Sequence, residues 1–139
     1  MVHIIAGKKG KGKTKYLLDN ANDAIKKSEG SIVYLDKSAR HMHELDNKIR
    51  LVNITDYPIR SYNAFIGFIC GIISSDYDLQ EIYVDSFLKL SHLDGKDISE
   101  AVAELNTISE QNHIKIILSV SEDEANLPES VKDKIIVSL

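Results

Sequence analysis

The stretch IIAGKKGKGKTKYLL, residues 4–18, decides how this chain is expected to fold. It places three glycines and five lysines between a short apolar run and a segment whose apolar residues recur at helical spacing. The apolar run, residues 2–6, is typical of a buried strand, and the Leu, Ala and Ile spacing of residues 13–27 indicates an amphipathic helix. A strand, a glycine-rich turn and a helix in this order predict the first unit of an α/β sheet.

The turn at residues 7–14 fits the pattern G-x-x-x-x-G-K-[ST] without a mismatch. Glycines let backbone N–H groups approach phosphate oxygens closely, and the helix that follows adds the positive end of its dipole. We expect Lys13 to contact the β- and γ-phosphates of a nucleotide and the hydroxyl of Thr14 to ligate Mg²⁺. The predicted nucleotide-binding segment comprises Gly7, Lys8, Lys9, Gly10, Lys11, Gly12, Lys13, Thr14 and Lys15.

The extra lysines of the turn have two interpretations. Lys8, Lys9 and Lys11 are interpreted first as solvated charge that raises the local positive potential. Direct contact with phosphate or with a partner is the alternative.

A site of this kind also needs an acid that holds the hydrated Mg²⁺ at the end of a buried strand. Asp85, at the end of EIYVD, has this position. Asp36 ends SIVYLD in the same way and is the competing candidate.

The rest of the chain alternates strands with helices. Apolar patterns predict strands at 31–36, 49–54, 81–87, 114–120 and 134–139, and helices at 38–47, 61–75 and 98–112, with a short helix at LPESVK. Six buried strands alternating with helices predict an α/β protein with a parallel sheet, in a single domain of residues 1–139.

Four local features add detail to this prediction. We expect Met42 and Leu45 to face inward from the helix at 38–47. Asp97 and Glu100 predict a capping box. Cys70, inside FIGFICGII, is expected to be a buried structural thiol. Gly67 and Gly71 are spaced to allow another helix to approach closely.

Composition and charge argue against proteins that bind nucleic acid or membranes through bulk charge or apolar segments. The chain has 139 residues, of which 43% are hydrophobic and 27% charged, and its net charge of −4 argues against bulk attraction to nucleic acid or anionic lipid. No signal-peptide pattern is visible, and the apolar run at 62–73 is too short to span a membrane. We therefore expect a cytoplasmic protein that does not contact a membrane.

Three stretches together resemble the P-loop NTPases, and within them the RecA-like ATPases. GKKGKGKT resembles a Walker A loop, IVYLDKSARHM the segment after the second strand, and IYVDSFLKL a Walker B strand. The pattern is also similar to small clostridial proteins known as ATP-binding or PilT-like. The resemblance implies a three-layer fold with RecA-like strand order. In that order, the strand at 114–120 lies between the strand that precedes the glycine-rich turn and the strand that ends at Asp85. The resemblance also implies ATP and Mg²⁺ at the carboxyl ends of the strands.

The departures from the family pattern concern hydrolysis. RecA-like enzymes place a glutamate after the second strand, or after the Walker B aspartate in related ATPases, where this chain has Ser38 and Ser86. A hydroxyl is a poor base at neutral pH, which leaves Asp36 and Glu122 as the candidate catalytic carboxylates. At the position of the usual γ-phosphate sensor, the chain offers only the hydroxyls of Ser119 and Ser121.

The expected function is ATP binding with Mg²⁺, and weak ATPase activity that is completed by a protein partner or by self-association. The alternative is a nucleotide-dependent switch or scaffold without turnover. A small-molecule kinase is less well supported, because kinases usually carry an arginine-bearing lid late in the chain and no arginine follows Arg60.

Nucleic-acid binding through the lysines is a further alternative. The lack of interleaved aromatic residues argues against it. Arg40 is interpreted as solvated, or else as a finger towards a neighbouring subunit's nucleotide.

Overall fold

The computed structural model describes residues 1–139. It contains six strands: β1 (Val2–Ala6), β2 (Ser31–Asp36), β3 (Ile49–Asn53), β4 (Leu79–Val84), β5 (Lys115–Val120) and β6 (Ile135–Ser138). The α-helices are α1 (Lys13–Lys27), α2 (Tyr62–Ser75), α3 (Phe87–Leu90) and α4 (Ser99–Asn112). Short 3₁₀ helices cover Met42–Glu44, Ile54–Asp56, Glu124–Asn126 and Glu129–Lys134.

The strands form one sheet in the order β3-β2-β4-β5-β1-β6, and every pair of neighbours is parallel. The predicted α/β class with a parallel sheet is confirmed. β5 lies between β1 and β4, so the strand that enters the glycine-lysine turn is separated from the strand that precedes Asp85. In a parallel sheet all carboxyl ends lie at one edge, which brings these two segments to the same side of the molecule.

Two apolar clusters lie on opposite faces of the sheet. Successive side chains of a strand point to opposite faces, and Ile4 joins the cluster formed with α2, α3 and α4 while Ile5 joins the cluster formed with α1. Both residues are fully buried. The sheet is therefore covered on both sides, which explains why its strands are apolar throughout.

The predicted helix at 38–47 is wrong. Only Met42–Glu44 is helical, in a 3₁₀ turn, and Met42 is 50% exposed while Leu45 is buried as expected. The side chain of Asn22 in α1 donates to the carbonyl of Glu44 and accepts from the N–H of Asp46, both at 2.8 Å. These bonds hold the chain around Leu45 extended, and tertiary contacts of this kind override helix propensity, which is a weak determinant.

The predicted burial of Cys70 is also wrong, because its side chain is exposed. α2 contacts the sheet through Phe65 and Ile69, and the residue after Ile69 is rotated about 100° away from that contact. A Cβ placed at Gly67 or Gly71 would meet nothing within 4 Å, so no helix approaches there. The outward side of α2 is open.

The capping box predicted for α4 does not form as expected. The Asp97 carboxylate accepts from the N–H of Ser99 at 2.7 Å, not from that of Glu100. Hydrogen bonding to Ser99 lowers the pKa of this exposed carboxyl. The helix itself, Ser99–Asn112, begins one residue later than predicted.

None of the helices combines the length and apolar character needed to cross a membrane.

Candidate functional site

Residues 7–14, termed the glycine-lysine loop, join β1 to α1. Two glycines have backbone conformations that other residues rarely adopt, with φ of 85° at Gly10 and 95° at Gly12. The loop is tied to the segment after β5, because the N–H of Gly7 donates to the carbonyl of Glu122 at 2.9 Å. The start of α1 has no side-chain cap and no acid in its first turn.

The start of α1 leaves backbone donors free. The N–H groups of Gly12, Lys13 and Thr14 donate to no acceptor within the protein. The three residues line a cavity at the carboxyl edge of the sheet. Such orphan donors, together with the positive end of the helix dipole, attract an anion.

Lys13 is the buried lysine of the loop, with only 7% of its surface exposed. Its Nζ donates to the carbonyl of Lys8 at 3.1 Å. Burial lowers the pKa of Lys13, and the Asp85 carboxylate acts in the opposite direction. The ammonium group is thus held inside the curve of the loop, within electrostatic reach of Asp85.

The other lysines of this segment are exposed. Lys8 and Lys15 form surface ion pairs with nearby aspartates, with N–O distances of 3.3 and 3.1 Å. Pairs of this kind contribute little to stability. Lys9 lines the cavity and is not in an ion pair, whereas Lys11 does not line it.

Asp85 follows β4 and is held by two hydroxyls. The Tyr34 hydroxyl donates to Oδ2 of Asp85 at 3.1 Å, and the Ser119 hydroxyl donates to Oδ1 at 2.8 Å. Ser119 in turn accepts from the N–H of Ser86 at 2.8 Å. Asp85 is only 4% exposed, so these bonds fix the direction of its carboxylate.

Asp36 ends β2 with a carboxylate that is only partly satisfied. Its Oδ1 accepts from the N–H of Lys37 at 2.7 Å, whereas its buried Oδ2 has no hydrogen-bond partner. Burial raises the pKa of Asp36, the bond from Lys37 opposes this effect, and the charge of Asp85 adds to it. A carboxylate with a raised pKa and a free oxygen is suited to accept a proton.

The cavity that joins these groups has a volume of about 480 Å³ and is lined by 16 residues, of which only Leu88 is apolar. It is strongly charged. The cationic residues of its lining, apart from histidine, are Lys9, Lys13, Lys37, Arg40 and Lys89, and the acidic ones are Asp36, Asp85 and Asp94.

Most of the residues predicted from the sequence meet at this cavity. Lys13, Thr14, Asp36, Asp85 and Ser121 all line it.

Six predicted residues do not line the cavity: Ser119, Glu122, and four members of the predicted nucleotide-binding segment, Gly7, Lys8, Lys11 and Lys15. Ser119 is fully buried and its hydroxyl is bonded to Asp85. The Glu122 carboxylate accepts bonds from the next turn of the chain, at the N–H of Asp123 and the amide of Asn126.

Sequence reasoning missed Tyr34, Lys37 and Lys89, and it considered Arg40 only as a solvated residue or as a finger towards a neighbouring subunit's nucleotide. Tyr34 lies two residues before Asp36 on the same face of β2, a spacing that could have indicated it. Lys37 and Arg40 follow β2 and Lys89 lies in α3. Nothing in the local sequence marks these cations as parts of one cavity, because strand order brings them together.

Oxygen atoms suited to Mg²⁺ also meet here. They are the hydroxyl of Thr14 and the carboxylates of Asp36 and Asp85. Oδ2 of Asp36 has no hydrogen-bond partner. No group of three or more His, Cys, Asp or Glu side chains is placed to hold a metal by itself. Proteins usually bind Mg²⁺ through one or two carboxylates together with substrate phosphates and water. The oxygens present fit a Mg²⁺ ion that arrives with a phosphate ligand.

The chain matches no protein-family model, and no curated protein matches it significantly.

Proposed function

We propose that the protein binds ATP together with Mg²⁺ in the 480 Å³ cavity, with the phosphates on the glycine-lysine loop. One observation carries the proposal: the unbonded N–H groups at the start of α1 line the same cavity as the buried Lys13 and Asp85. Phosphate oxygens would accept bonds from these donors, and the lysine would balance their charge.

We also infer that the domain is a RecA-like P-loop NTPase domain. The position of β5 between β1 and β4 supports this inference, since it is the separation that the family resemblance implies. The two aspartates at the carboxyl ends of β2 and β4 lie where open α/β sheets bind their ligands.

Two residues of the cavity and two buried residues behind it have separate tasks in this proposal. Thr14 and Asp85 hold the ion, and Tyr34 and Ser119 keep the Asp85 carboxylate in one orientation. When bound, Mg²⁺ neutralises phosphate charge and stabilises the oxygens of the transferred group.

Hydrolysis by the isolated chain is expected to be slow. Serines stand at both positions where the family carries glutamate, and Ser86 presents a hydroxyl in place of a base. Asp36 is the carboxylate of the cavity with an unpartnered oxygen, so we assign it the orientation of the attacking water. A protein partner or self-association completes the site. The same serines favour the second candidate, a nucleotide-dependent switch without turnover.

A thermal-shift panel of ATP, ADP, GTP and dATP, with and without Mg²⁺, tests the proposal. A ligand that binds only the folded state raises the melting temperature. At a hundredfold excess over its dissociation constant, it increases the free energy of unfolding by about 2.7 kcal/mol. We expect ATP with Mg²⁺ to raise the melting temperature in the wild type and in Lys15→Ala, but not in Lys13→Ala. If no nucleotide raises the melting temperature, the proposal fails.

Phosphate release separates the two candidate functions. Release above the level of Lys13→Ala supports the ATPase. Tight ATP binding without such release favours the switch.

A further inference from the structure

We propose that the cavity holds a second substrate beside ATP, a small anion with a free hydroxyl that accepts the γ-phosphoryl group. This inference rests on the proposed nucleotide site. It assigns the cationic residues beyond the glycine-lysine loop to an acceptor phosphate or carboxylate.

The charge of the cavity exceeds what the nucleotide needs. Its lining carries five lysine or arginine side chains and three aspartates, a difference of 5 − 3 = +2, on a chain whose net charge is −4. Lys9 and Lys13 belong to the glycine-lysine loop and face the nucleotide phosphates. Asp85 faces the metal ion in the proposed nucleotide site. The other three cations are therefore available to another anion.

These three cations are Lys37, Arg40 and Lys89, termed the basic rim. Lys37 and Arg40 come from the segment after β2, and Lys89 comes from α3, just after Asp85. None of them forms an ion pair within the protein. Arginine matches the geometry of phosphate and carboxylate with its fork of donors, and lysine adds point charge. Three such groups on one cavity form a site for a doubly charged anion.

Asp36 supplies the other element of an acceptor site. Its Oδ2 is buried and unpartnered, and the residue itself is only 3% exposed. Asp36 lines the same cavity as the basic rim. In this proposal, Oδ2 of Asp36 accepts the proton from the hydroxyl of the anion that the rim holds.

The transfer step is balanced by these groups. The acceptor oxygen forms a bond to the γ-phosphorus, and the bond from that phosphorus to the β,γ-bridging oxygen breaks, leaving its electron pair on ADP. The hydroxyl proton passes to Asp36 and then to solvent. The products are ADP and the phosphorylated acceptor, with cations around the transferred group as phosphoryl transfer requires.

The lining favours a small molecule over nucleic acid. Single-stranded nucleic acid is usually held by aromatic residues that stack on its bases. The cavity has no Phe, Tyr or Trp, and its only apolar residue is Leu88. Its Ser38, Ser86 and Ser121 hydroxyls suit a polar ligand.

The test is a thermal-shift titration with glycerol 3-phosphate on protein saturated with Mg²⁺ and AMP-PNP, at constant ionic strength. Three proteins are compared: wild type, the rim variant Lys37→Gln/Arg40→Gln/Lys89→Gln, and a control with the same charge change, Lys26→Gln/Lys48→Gln/Arg60→Gln. The control residues are exposed and lie outside the cavity. For wild type and control we expect a rise of about 4 to 5 °C for each tenfold increase of the anion above its dissociation constant. The rim variant should lose this rise and keep its response to AMP-PNP.

Adjacency of the two ligands has its own readout. With Mn²⁺ in place of Mg²⁺, the ³¹P resonance of glycerol 3-phosphate should broaden in wild type and control more than in the rim variant. Equal broadening in all three proteins overturns the proposal.

The other outcomes are equally decisive. A normal AMP-PNP response with no anion response, or an anion response that the rim variant retains, overturns the second substrate alone. The same holds if a single-stranded oligonucleotide, and not the small anion, binds through the rim. A wild type that does not respond to AMP-PNP overturns the nucleotide proposal as well.

Discussion

The hydroxyl of Tyr34 donates a hydrogen bond of 3.1 Å to Oδ2 of Asp85, and so links the neighbouring strands β2 and β4 at the candidate site. Burial raises the pKa of Tyr34, and the charge of Asp85 raises it further. The hydroxyl therefore stays protonated and acts as the donor. The bond fixes the carboxylate that we assign to Mg²⁺, and the predictions below follow from this arrangement.

Tyr34→Phe removes that bond and leaves the ring in place. Its stacking on Tyr83, with centroids 6.1 Å apart, is retained. A lost bond to a buried carboxylate lowers the free energy of unfolding by about 2 kcal/mol, measured by urea denaturation. We also expect weaker Mg²⁺ dependence of ATP affinity, because the Asp85 carboxylate is then less well oriented. Tyr83→Phe, which loses only a bond to Glu81, is the control and should leave the Mg²⁺ dependence unchanged. If Tyr34→Phe has wild-type values in both measurements, Tyr34 does not position the Asp85 carboxylate.

Asp36→Asn should stabilise the protein at neutral pH. Burial raises the pKa of Asp36 above its ordinary value of 3.8, so the ionised carboxylate costs the folded state free energy. This cost is absent below the unfolded pKa, grows as the pH rises from the unfolded to the folded pKa, and is constant above the folded pKa. The difference in unfolding free energy between the variant and the wild type should therefore favour the variant at neutral pH and shrink towards about pH 4.

Asp19→Asn, which removes the same charge from an exposed residue of α1, is the control variant. Urea denaturation across the pH range measures both differences. An Asp36→Asn variant that is less stable than wild type at neutral pH would contradict the burial argument. Phosphate release or transfer by Asp36→Asn should fall, while ATP binding remains.

Ser119 and Ser121 should respond differently to alanine. Ser119→Ala removes the donor to Asp85 and the acceptor of the Ser86 N–H, both within the buried network. Unsatisfied buried groups cost about 1–3 kcal/mol, so the midpoint of urea unfolding should fall. Ser121 is exposed, and its alanine variant should stay within about 0.5 kcal/mol of wild type. Equal effects of the two substitutions would show that the Ser119 bonds do not stabilise the fold.

Cys70 should react with Ellman's reagent in the native protein, since its side chain is exposed on α2. One thiol per chain is expected to react without denaturant, because an exposed thiol is accessible to the reagent. Cys70→Ser provides the blank. A thiol that reacts only in denaturant would show that the outward side of α2 is covered in solution.

Regular periodic segments could be predicted from the sequence because their signal is local. The bounds of β1, α1 and β2 agree with the apolar patterns at 2–6, 13–27 and 31–36. The helix at 38–47 failed because Asn22, in another element, bonds the backbone there. The prediction that Cys70 is buried failed because an apolar sequence does not show how many sides of a helix are covered by other elements.

The candidate site divides in the same way. Lys13, Thr14 and Asp85 could be predicted because each lies at the end of a strand or in a recognisable loop. The bond from Ser119 to Asp85 joins residues that are 34 positions apart, and the basic rim joins the segment after β2 to α3. These groupings depend on strand order, which the residues around each one do not specify.

Calorimetric titration of the protein with ATP in Mg²⁺ tests the central claim most directly. Wild type and Lys15→Met are expected to bind about one ATP per chain, since Lys15 is exposed and paired with Asp19. Lys13→Met removes the buried ammonium group and should lose most of this affinity, about tenfold or more for each 1.4 kcal/mol of lost interaction. Circular dichroism confirms that the variant is folded. Absence of ATP binding by the wild type, or equal binding by a folded Lys13→Met variant, would contradict the account.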